Sequence, residues 1–449
     1  MNNLVIIGGG LAGLSLAYFA KEAEIDFHLY EGKNSVGGNC RTLRSGEFRF
    51  DTGAHRFHDK DPEMTNIIQT ILKNRIKNIY KPSYIYYDGK LIHFPITPSG
   101  LLKNLPVKVL GRSVFSFLFK NLNDKKDDNF ESYAYKKYGK NIADLFLTNY
   151  SEKLWGEKCH NLSLDVAGSR LKNLNLKSIM NDIFFPNTKS KHLEGNFYYP
   201  DYGFGEIAEE LKFRSGTENI STGTKVTSIE TQGNEIKSIT LNNNNKVETP
   251  VLVSTIPVSI LLNLLSNKLP DDVMEAAENL KFRHLKLVVF FLNKNSVNDA
   301  ATMYFPNNSL IFTRVYEPKN RSPFMSPESQ TSLVAEIPYS SGDSVSLLSE
   351  EELVNKVKNN LTSFGFFKED EIITHLVFNI PFAYPVLTKG FEKNYNVISR
   401  YLKQYKNLYI TGRNGKFAYS WTHDMMRWGS QTIKEIEQAH SKQTIMEGI

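Results

Sequence analysis

The sequence predicts an α/β protein of two interleaved domains, one built on a parallel sheet and the other of α+β type. The apolar run from Leu4 to Ile7 leads directly into glycines and then a helical segment, as in a βαβ unit. Strand-like segments joined by turn residues return between Val226 and Thr255. The chain's 449 residues also exceed what one ordinary core holds.

Composition excludes several classes of protein. Hydrophobic residues make up 41% and charged residues 23%, which argues against wholesale disorder and against a coiled coil. A net charge of +6 is too small for a protein that neutralises nucleic-acid phosphates, but it suits an anionic small substrate. The two cysteines, Cys40 and Cys159, cannot form a disulfide framework, so we expect a cytoplasmic protein. We also expect no transmembrane segment and no signal peptide.

The first thirty residues predict dinucleotide binding. Leu4 to Ile7 predicts a buried parallel strand, Leu14 to Ala23 a helix, and Phe27 to Tyr30 a second strand. The turn between strand and helix has G-x-G-x-x-G spacing, formed by Gly8, Gly10 and Gly13. Such glycines allow a tight turn, close approach of backbone to a pyrophosphate, and close packing of helix on strand.

A carboxylate ends the second strand and narrows the choice of nucleotide. Glu31 is placed to accept a hydrogen bond from a ribose hydroxyl, which disfavours a 2′-phosphate. The sequence therefore predicts a Rossmann-like domain that binds FAD or NAD rather than NADP.

The segment from Glu31 to Thr42, with Gly37, Gly38 and Asn39, resembles the second glycine signature of flavoproteins related to amine oxidases, protoporphyrinogen oxidase and UDP-galactopyranose mutase. The resemblance implies a GR2-type flavoprotein fold with FAD as the cofactor. Further cofactor contacts are then expected at the following positions: Gly53, Val226, Gly412, Arg413 and Met425.

The remaining elements suggest how the two domains interleave. We expect strands at Val226 to Glu230, Glu235 to Leu241 and Lys246 to Thr255 to form a meander within the cofactor domain, and a helix to begin near His423. The predicted cofactor domain comprises residues 1–75, 200–258 and 380–449. The predicted substrate domain comprises residues 76–199 and 259–379, including a strand at 286–292.

His55 follows a predicted strand, and two interpretations of it remain open. Its imidazole either faces the flavin near N5 or is a buried histidine hydrogen-bonded at a strand end. His55 and His58 have no accompanying carboxylate pattern or third ligand, so we expect no metal site.

The resemblance to UDP-galactopyranose mutases extends over almost the whole chain. It is carried by these segments: Gly53 to His58, Ser83 to Pro95, Tyr150 to Gly156, Phe312 to Val315, Tyr384 to Val386, and Gly412 to Tyr419. By resemblance, Arg314 supplies a cation for the substrate diphosphate, and Tyr384 and Tyr419 supply hydrogen bonds. Trp155 is then a stacking or packing surface. His55 and Arg314 are the residues expected to carry the chemistry.

The resemblance implies a pyranose/furanose mutase acting on a nucleoside diphosphate sugar in cell-surface glycan biosynthesis. In that family N5 of reduced FAD attacks the anomeric carbon, so a transient reductant such as NAD(P)H is expected. The sequence departs from the family at one point: bacterial mutases resembling this chain carry a second substrate arginine a few residues after the position of Arg170. Here the stretch from Leu171 to Asn175 contains no arginine, so Lys172 or the later Lys177 would have to supply the positive charge.

Two other functions remain open. An FAD-dependent oxidoreductase of the amine oxidase or protoporphyrinogen oxidase type would use the same cofactor framework, and a flavoprotein scaffold would bind FAD without turnover.

The apolar segment from Leu101 to Lys120 carries several basic residues. It is interpreted either as a membrane-surface helix or as an ordinary helix of the substrate domain.

Overall fold

The computed structural model describes residues 4–96, 98–118, 128–167 and 196–447, so the stretch from Arg170 to Lys177 lies outside it. The strands are β1 Leu4–Ile7, β2 Phe27–Tyr30, β3 Thr42–Ser45, β4 Phe48–Asp51, β5 Ile76–Tyr80, β6 Ser83–Tyr87, β7 Lys90–Phe94, β8 Asn196–Pro200, β9 Ile220–Ser221, β10 Val226–Gln232, β11 Glu235–Leu241, β12 Lys246–Glu248, β13 Val251–Ser254, β14 Phe282–Leu292, β15 Thr302–Tyr304, β16 Arg314–Tyr316, β17 Thr331–Tyr339, β18 Ile372–Pro385 and β19 Leu408–Ile410. The helices are α1 Leu11–Glu22, α2 Pro62–Leu72, α3 Pro98–Asn104, α4 Val107–Leu118, α5 Phe130–Tyr138, α6 Lys140–Ala143, α7 Asn149–Trp155, α8 Glu206–Ser215, α9 Val258–Leu264, α10 Asp271–Asn279, α11 Glu350–Ser363, α12 Phe391–Leu402 and α13 Thr422–Glu447.

A parallel sheet of five strands in the order β19-β13-β1-β2-β9 confirms the predicted α/β class. Its central strand is buried on both faces, as the continuous apolar run predicts. Leu4 and Ile6 belong to one hydrophobic cluster, while Val5 and Ile7 belong to another on the opposite face. This alternation follows from the two-residue period of a strand.

Different layers cover the two faces of this sheet. The cluster that contains Leu4 and Ile6 includes side chains from α1, α2, α8 and α13. The cluster that contains Val5 and Ile7 includes side chains from the meander β10-β11-β12 and from α9, α10 and α12. The predicted helix near His423 is confirmed as α13.

One strand prediction is wrong. The segment from Lys246 to Thr255 is not a single strand but two, because Pro250 lies between Lys246–Glu248 and Val251–Ser254. Proline has no N–H to donate to a ladder, so the segment breaks there. β12 completes the meander with β11, and β13 joins the parallel sheet beside β1.

A second sheet has seven strands in the order β18-β14-β17-β16-β15-β6-β7. All its pairs are antiparallel except β15 with β6. One face packs against α11, and the other includes Leu287 and Val289 and contacts Phe50 of β4. The predicted strand from Lys286 to Leu292 lies within β14.

The domain boundaries stay predictions, and β18 runs continuously through the one placed at residue 380. No helix within the described ranges combines the length and apolarity needed to cross a membrane.

Candidate active site

The carboxyl ends of the parallel strands form the floor of a site. Gly8 follows β1, Glu31 follows β2, Thr255 follows β13, and Gly412 follows β19. In open parallel sheets ligands bind beyond this edge. The Thr255 hydroxyl donates to Ile7 O at 3.0 Å, which ties two of the strand ends together.

The glycine turn leaves no room for side chains. Gly8 has a φ of +100°, and a Cβ on Gly13 would lie 1.9 Å from Gly8 O. A Cβ on Gly38 would lie 3.0 Å from the Cα of Gly10, so the two glycine segments approach each other backbone to backbone. This close approach of bare backbone is what binding a pyrophosphate beside a helix N-terminus requires.

Glu31 is held by backbone groups on both sides of the turn. Its carboxylate accepts hydrogen bonds from Gly9 N at 2.6 Å and from Lys33 N at 2.8 Å. Thr224 N, two residues before β10 begins at Val226, donates to the backbone carbonyl Glu31 O at 2.9 Å. The geometry therefore fixes an acidic group beside the glycine turn.

The loop after β4 brings His55 into the same region. His55 Nε2 lies 2.8 Å from Asn39 O, and because a carbonyl only accepts, Nε2 carries the proton and Nδ1 is the acceptor nitrogen. The ring stacks on Phe204 at 5.0 Å between centroids. Burial lowers the pKa of His55 to about 3, and the charges of nearby arginines, Arg314, Arg321 and Arg413, act in the same direction. His55 is therefore neutral at physiological pH, and its flavin-facing role stays a prediction.

Arg314 lies in a network that joins three strands of the second sheet, β16, β17 and β18. Arg314 and Glu336 are register partners on β16 and β17, and Arg314 Nε donates to Glu336 Oε2 at 2.7 Å. Arg314 Nη2 also pairs with Glu336 and donates to the Tyr384 hydroxyl at 2.8 Å. Burial opposes the charge of Arg314, but Glu336 raises the pKa of Arg314 well above its ordinary value. The guanidinium is thus a fixed cation.

Glu336 also links the arginine to the His55 loop. It is completely buried, and its Oε1 accepts a hydrogen bond from Ala54 N at 2.7 Å. A Cβ on Gly53 would lie 3.3 Å from His55 Nε2 and 3.7 Å from Glu336 Oε1. The backbone of this loop therefore passes between His55 and the carboxylate that holds Arg314.

An aromatic wall adjoins Arg314. The ring of the buried Trp155 packs edge-on against Tyr384 at 5.8 Å and Tyr419 at 5.5 Å. Tyr150 and Tyr304, whose ring centroids are 5.7 Å apart, also lie near Arg314. Arg413 also lies over the Tyr384 ring, 5.3 Å from its centroid, so the aromatic side chains adjoin two cations, an arrangement suited to an anionic ligand that carries a flat ring.

A comparison with known protein families bears on the part of the site formed by the glycine turn and Glu31. The family model for flavin-containing amine oxidoreductases matches residues 11–412. The chain belongs to the flavin-containing amine oxidoreductase family. Its cofactor is accordingly FAD, and the glycine cradle with Glu31 at its edge fits the pyrophosphate and ribose of that group.

Individual relatives of this chain carry different names. A coproporphyrinogen III oxidase from Staphylococcus aureus is 22% identical over 446 residues, covering 91% of this chain and 94% of that protein. A dTDP-fucopyranose mutase from Escherichia coli is 24% identical over 199 residues, covering 41% of this chain and 49% of that protein. The crystal structure of reduced UDP-galactopyranose mutase superposes with a TM-score of 0.86 at 20% identity, covering 98% of this chain and 96% of that one. The shared fold is thus clear, and the reaction is not decided by similarity.

The structure also shows how the predicted cofactor residues of this flavoprotein are placed relative to one another. Asn39 Nδ2 and Asn414 Nδ2 both donate to Phe382 O at 3.0 Å, and Arg413 donates to Ala383 O. Two glycine-rich segments, one containing Asn39 and the other containing Arg413 and Asn414, thus contact the same part of β18. Met425, in the first turn of α13, lies in the hydrophobic cluster under the glycine turn rather than on an exposed surface.

Sequence reasoning missed several residues of this site. Glu336 gave no signal, because only strand register brings it to Arg314. Asp51 is also buried, and accepts from the Tyr199 hydroxyl at 2.5 Å and from Phe204 N at 2.9 Å. Arg321 lies 4.0 Å from that carboxylate. Among the residues that the structure describes, no three His, Cys, Asp or Glu side chains are grouped so as to hold a metal ion.

Proposed function

We propose that this protein is a flavin-dependent mutase that interconverts pyranose and furanose forms of a nucleoside diphosphate sugar. The observation that carries the proposal is the fixed Arg314 guanidinium, which contacts the Tyr384 hydroxyl beside the aromatic wall of Trp155 and Tyr419. A diphosphate needs such a cation and such hydroxyl donors, and a nucleobase needs a flat apolar surface.

The residues of the chain then divide the work between binding and orientation. Arg314 neutralises the diphosphate both while it is attached to the sugar and when it departs, and Tyr384 and Tyr419 donate hydrogen bonds to it. Burial raises the pKa of Tyr384, so this hydroxyl keeps its proton at neutral pH. Neutral His55 accepts a hydrogen bond at Nδ1 and orients groups close to the isoalloxazine. When bound and reduced, FAD supplies the nucleophile for the anomeric carbon.

The proposal includes the setting of the reaction. A mutase of this kind leaves the overall redox state of its substrate unchanged, so electrons are needed only to reduce the flavin. We propose that a cytoplasmic reductant such as NAD(P)H binds transiently for this purpose, and that the product serves cell-surface glycan biosynthesis.

The test is to incubate the dithionite-reduced protein with UDP-galactofuranose and with dTDP-linked furanoses, and to separate the ring isomers by chromatography. Reduced protein should convert at least one of them, and oxidised protein should convert none. Tyr384→Phe, which removes one hydroxyl, should raise KM about tenfold, the size expected for one charge-assisted hydrogen bond. Absence of any ring isomer from either family of nucleotide sugars would contradict the proposal.

A second candidate is an FAD-dependent porphyrinogen oxidase. The observation that favours it is the relative named coproporphyrinogen III oxidase, which aligns over 91% of this chain. Such an enzyme would reoxidise its flavin with oxygen and release peroxide, whereas a mutase consumes no oxygen. Oxygen uptake with coproporphyrinogen, together with a fluorescent porphyrin product, would support the oxidase and count against the mutase.

A further inference from the structure

An exposed apolar strip lies on helices α3 and α4. Val107 is 83% exposed, Leu102 68%, Phe115 63% and Val114 57%. These four side chains fall within fourteen residues of one another in the chain. Isolated exposed apolar residues are common, but a run of this length on neighbouring helices marks an interaction surface.

Helix α4 has apolar side chains on both its inner and its outer face, and Val109 and Leu110 pack inwards against a hydrophobic cluster. Ser113 is buried, and its hydroxyl accepts a hydrogen bond from Asn141 Nδ2 at 2.7 Å. The Ser116 hydroxyl accepts from Asn141 N at 3.2 Å. Ser113 and Ser116 therefore share the inner face with those apolar residues, while Val107 and Val114, seven residues apart and so on one face, are exposed. The helix therefore carries apolar side chains on its outer face in addition to those it packs inwards, and these are available to contact something outside the protein.

The charged residues of α3 and α4 are all basic. The segment from 98 to 118 contains exposed Lys103, Lys108 and Arg112 and has no Asp or Glu. Lys90, at the start of β7, adds a fourth cation, since its Nζ donates to Asn104 O at 3.4 Å. Apolar side chains with basic residues along their border are the composition of helices that lie in the interface of a membrane.

We propose that α3 and α4 dock this protein on an anionic lipid surface, with Leu102, Val107 and Val114 in the acyl boundary and the three basic side chains among the headgroups. A second copy of the chain is a poorer fit, because pairing this surface with itself would bring the same cations together. An anionic bilayer complements both the charge and the apolar strip, and the two helices would lie along its surface.

The experiment is co-sedimentation of the FAD-bound protein with vesicles of phosphatidylcholine alone or mixed with phosphatidylglycerol. Wild-type protein should bind the mixed vesicles more tightly, and salt should weaken that binding. The double variant Val107→Ser/Val114→Ser should lose at least tenfold in affinity. The triple variant Lys103→Ser/Lys108→Ser/Arg112→Ser should lose on the order of a hundredfold, about fivefold for each cation.

Phe213→Ser is the matched control, since Phe213 is 68% exposed on a different helix, α8. It should bind as wild type does, and all variants should keep their flavin absorbance, which shows that they are folded. Lack of binding to mixed vesicles, or equal loss in the Phe213 control, would overturn the proposal. Light scattering provides a separate check: a wild-type dimer that Val107→Ser/Val114→Ser converts to a monomer would assign the strip to self-association instead.

Discussion

The Arg314–Glu336 pair allows a quantitative test of how the site is held together. The Glu336 side chain is fully buried and the Arg314 side chain is 17% exposed. Glu336→Gln keeps an oxygen for Ala54 N but places an amide against the guanidinium, so a buried positive charge loses its partner. Arg314→Met leaves the opposite charge, a buried carboxylate. We expect each single variant to lose about 3 to 5 kcal/mol in free energy of unfolding.

The double variant should lose far less than the sum of the two single losses. Opposite unit charges attract by roughly 4 kcal/mol at about 4 Å in a dielectric of about 20. Once both charges are removed, neither is left unpaired, so the total loss should stay near 3 kcal/mol and the coupling energy should be about 3 kcal/mol or more.

The assay is urea-induced unfolding followed by tryptophan fluorescence, with FAD in the same large excess for each variant so that cofactor binding contributes equally. Arg214→Met is the control, because Arg214 pairs with Glu210 near the surface and is 42% exposed. That variant should lose no more than about 1 kcal/mol. If the losses of the two single variants at the site were additive to within about 0.5 kcal/mol, the pair would not be coupled and our account of the site would be refuted.

Three further predictions concern other parts of the site. Gly13→Ala places a methyl group 1.9 Å from a backbone carbonyl oxygen, so the protein should purify without flavin colour, whereas Gly111→Ala, whose methyl meets nothing within 4 Å, should stay yellow. The pKa of His55 is about 3 in the folded protein and roughly 6.5 in the unfolded protein, so NMR should show a neutral imidazole at neutral pH. The free energy of unfolding should fall only as the pH drops below about 6.5. A His55 titration near pH 6.5 in the folded protein would contradict this. Arg283 is buried and donates to the carbonyls of residues 153 and 154, so Arg283→Lys should loosen the turn that carries Trp155. KM for a nucleotide sugar should rise about tenfold while kcat changes little. An unchanged KM would exclude this positioning role.

Local sequence patterns predicted the cofactor half of the fold. The strand Leu4–Ile7, the glycine turn and the carboxylate at Glu31 are set by neighbouring residues, so periodicity and turn chemistry are sufficient. The one wrong strand, Lys246 to Thr255, had a local signal as well, because Pro250 marks the break. β-branched residues on both sides of that proline, Val247 and Thr249 before it and Val251 and Val253 after it, favour a strand throughout and concealed the change from one sheet to another.

The substrate half depends on pairings that no local pattern encodes. Glu336 reaches Arg314 only because β16 and β17 pair in one register, and a shift of one residue would turn Glu336 to the other face. Resemblance to a family indicated Arg314 but not its partner. The neighbouring buried pair of Asp51 and Arg321 likewise joins residues 270 positions apart in the chain.

Phe382 shows how the two halves are fitted together. It has a φ of +52°, a conformation that is unfavourable for a bulky side chain and costs about 1 to 3 kcal/mol. The register of β18 against β14 shifts at this point, and Phe382 N donates to His284 Nδ1 at 3.1 Å instead of continuing the ladder. The same distortion turns the Phe382 carbonyl towards the side-chain amides of Asn39 and Asn414, which lie in the two glycine-rich segments. A regular strand would leave those amides without this acceptor and would rotate Tyr384 relative to Arg314, so the strain at Phe382 holds the segments of Asn39 and Asn414 and the aromatic wall in one geometry.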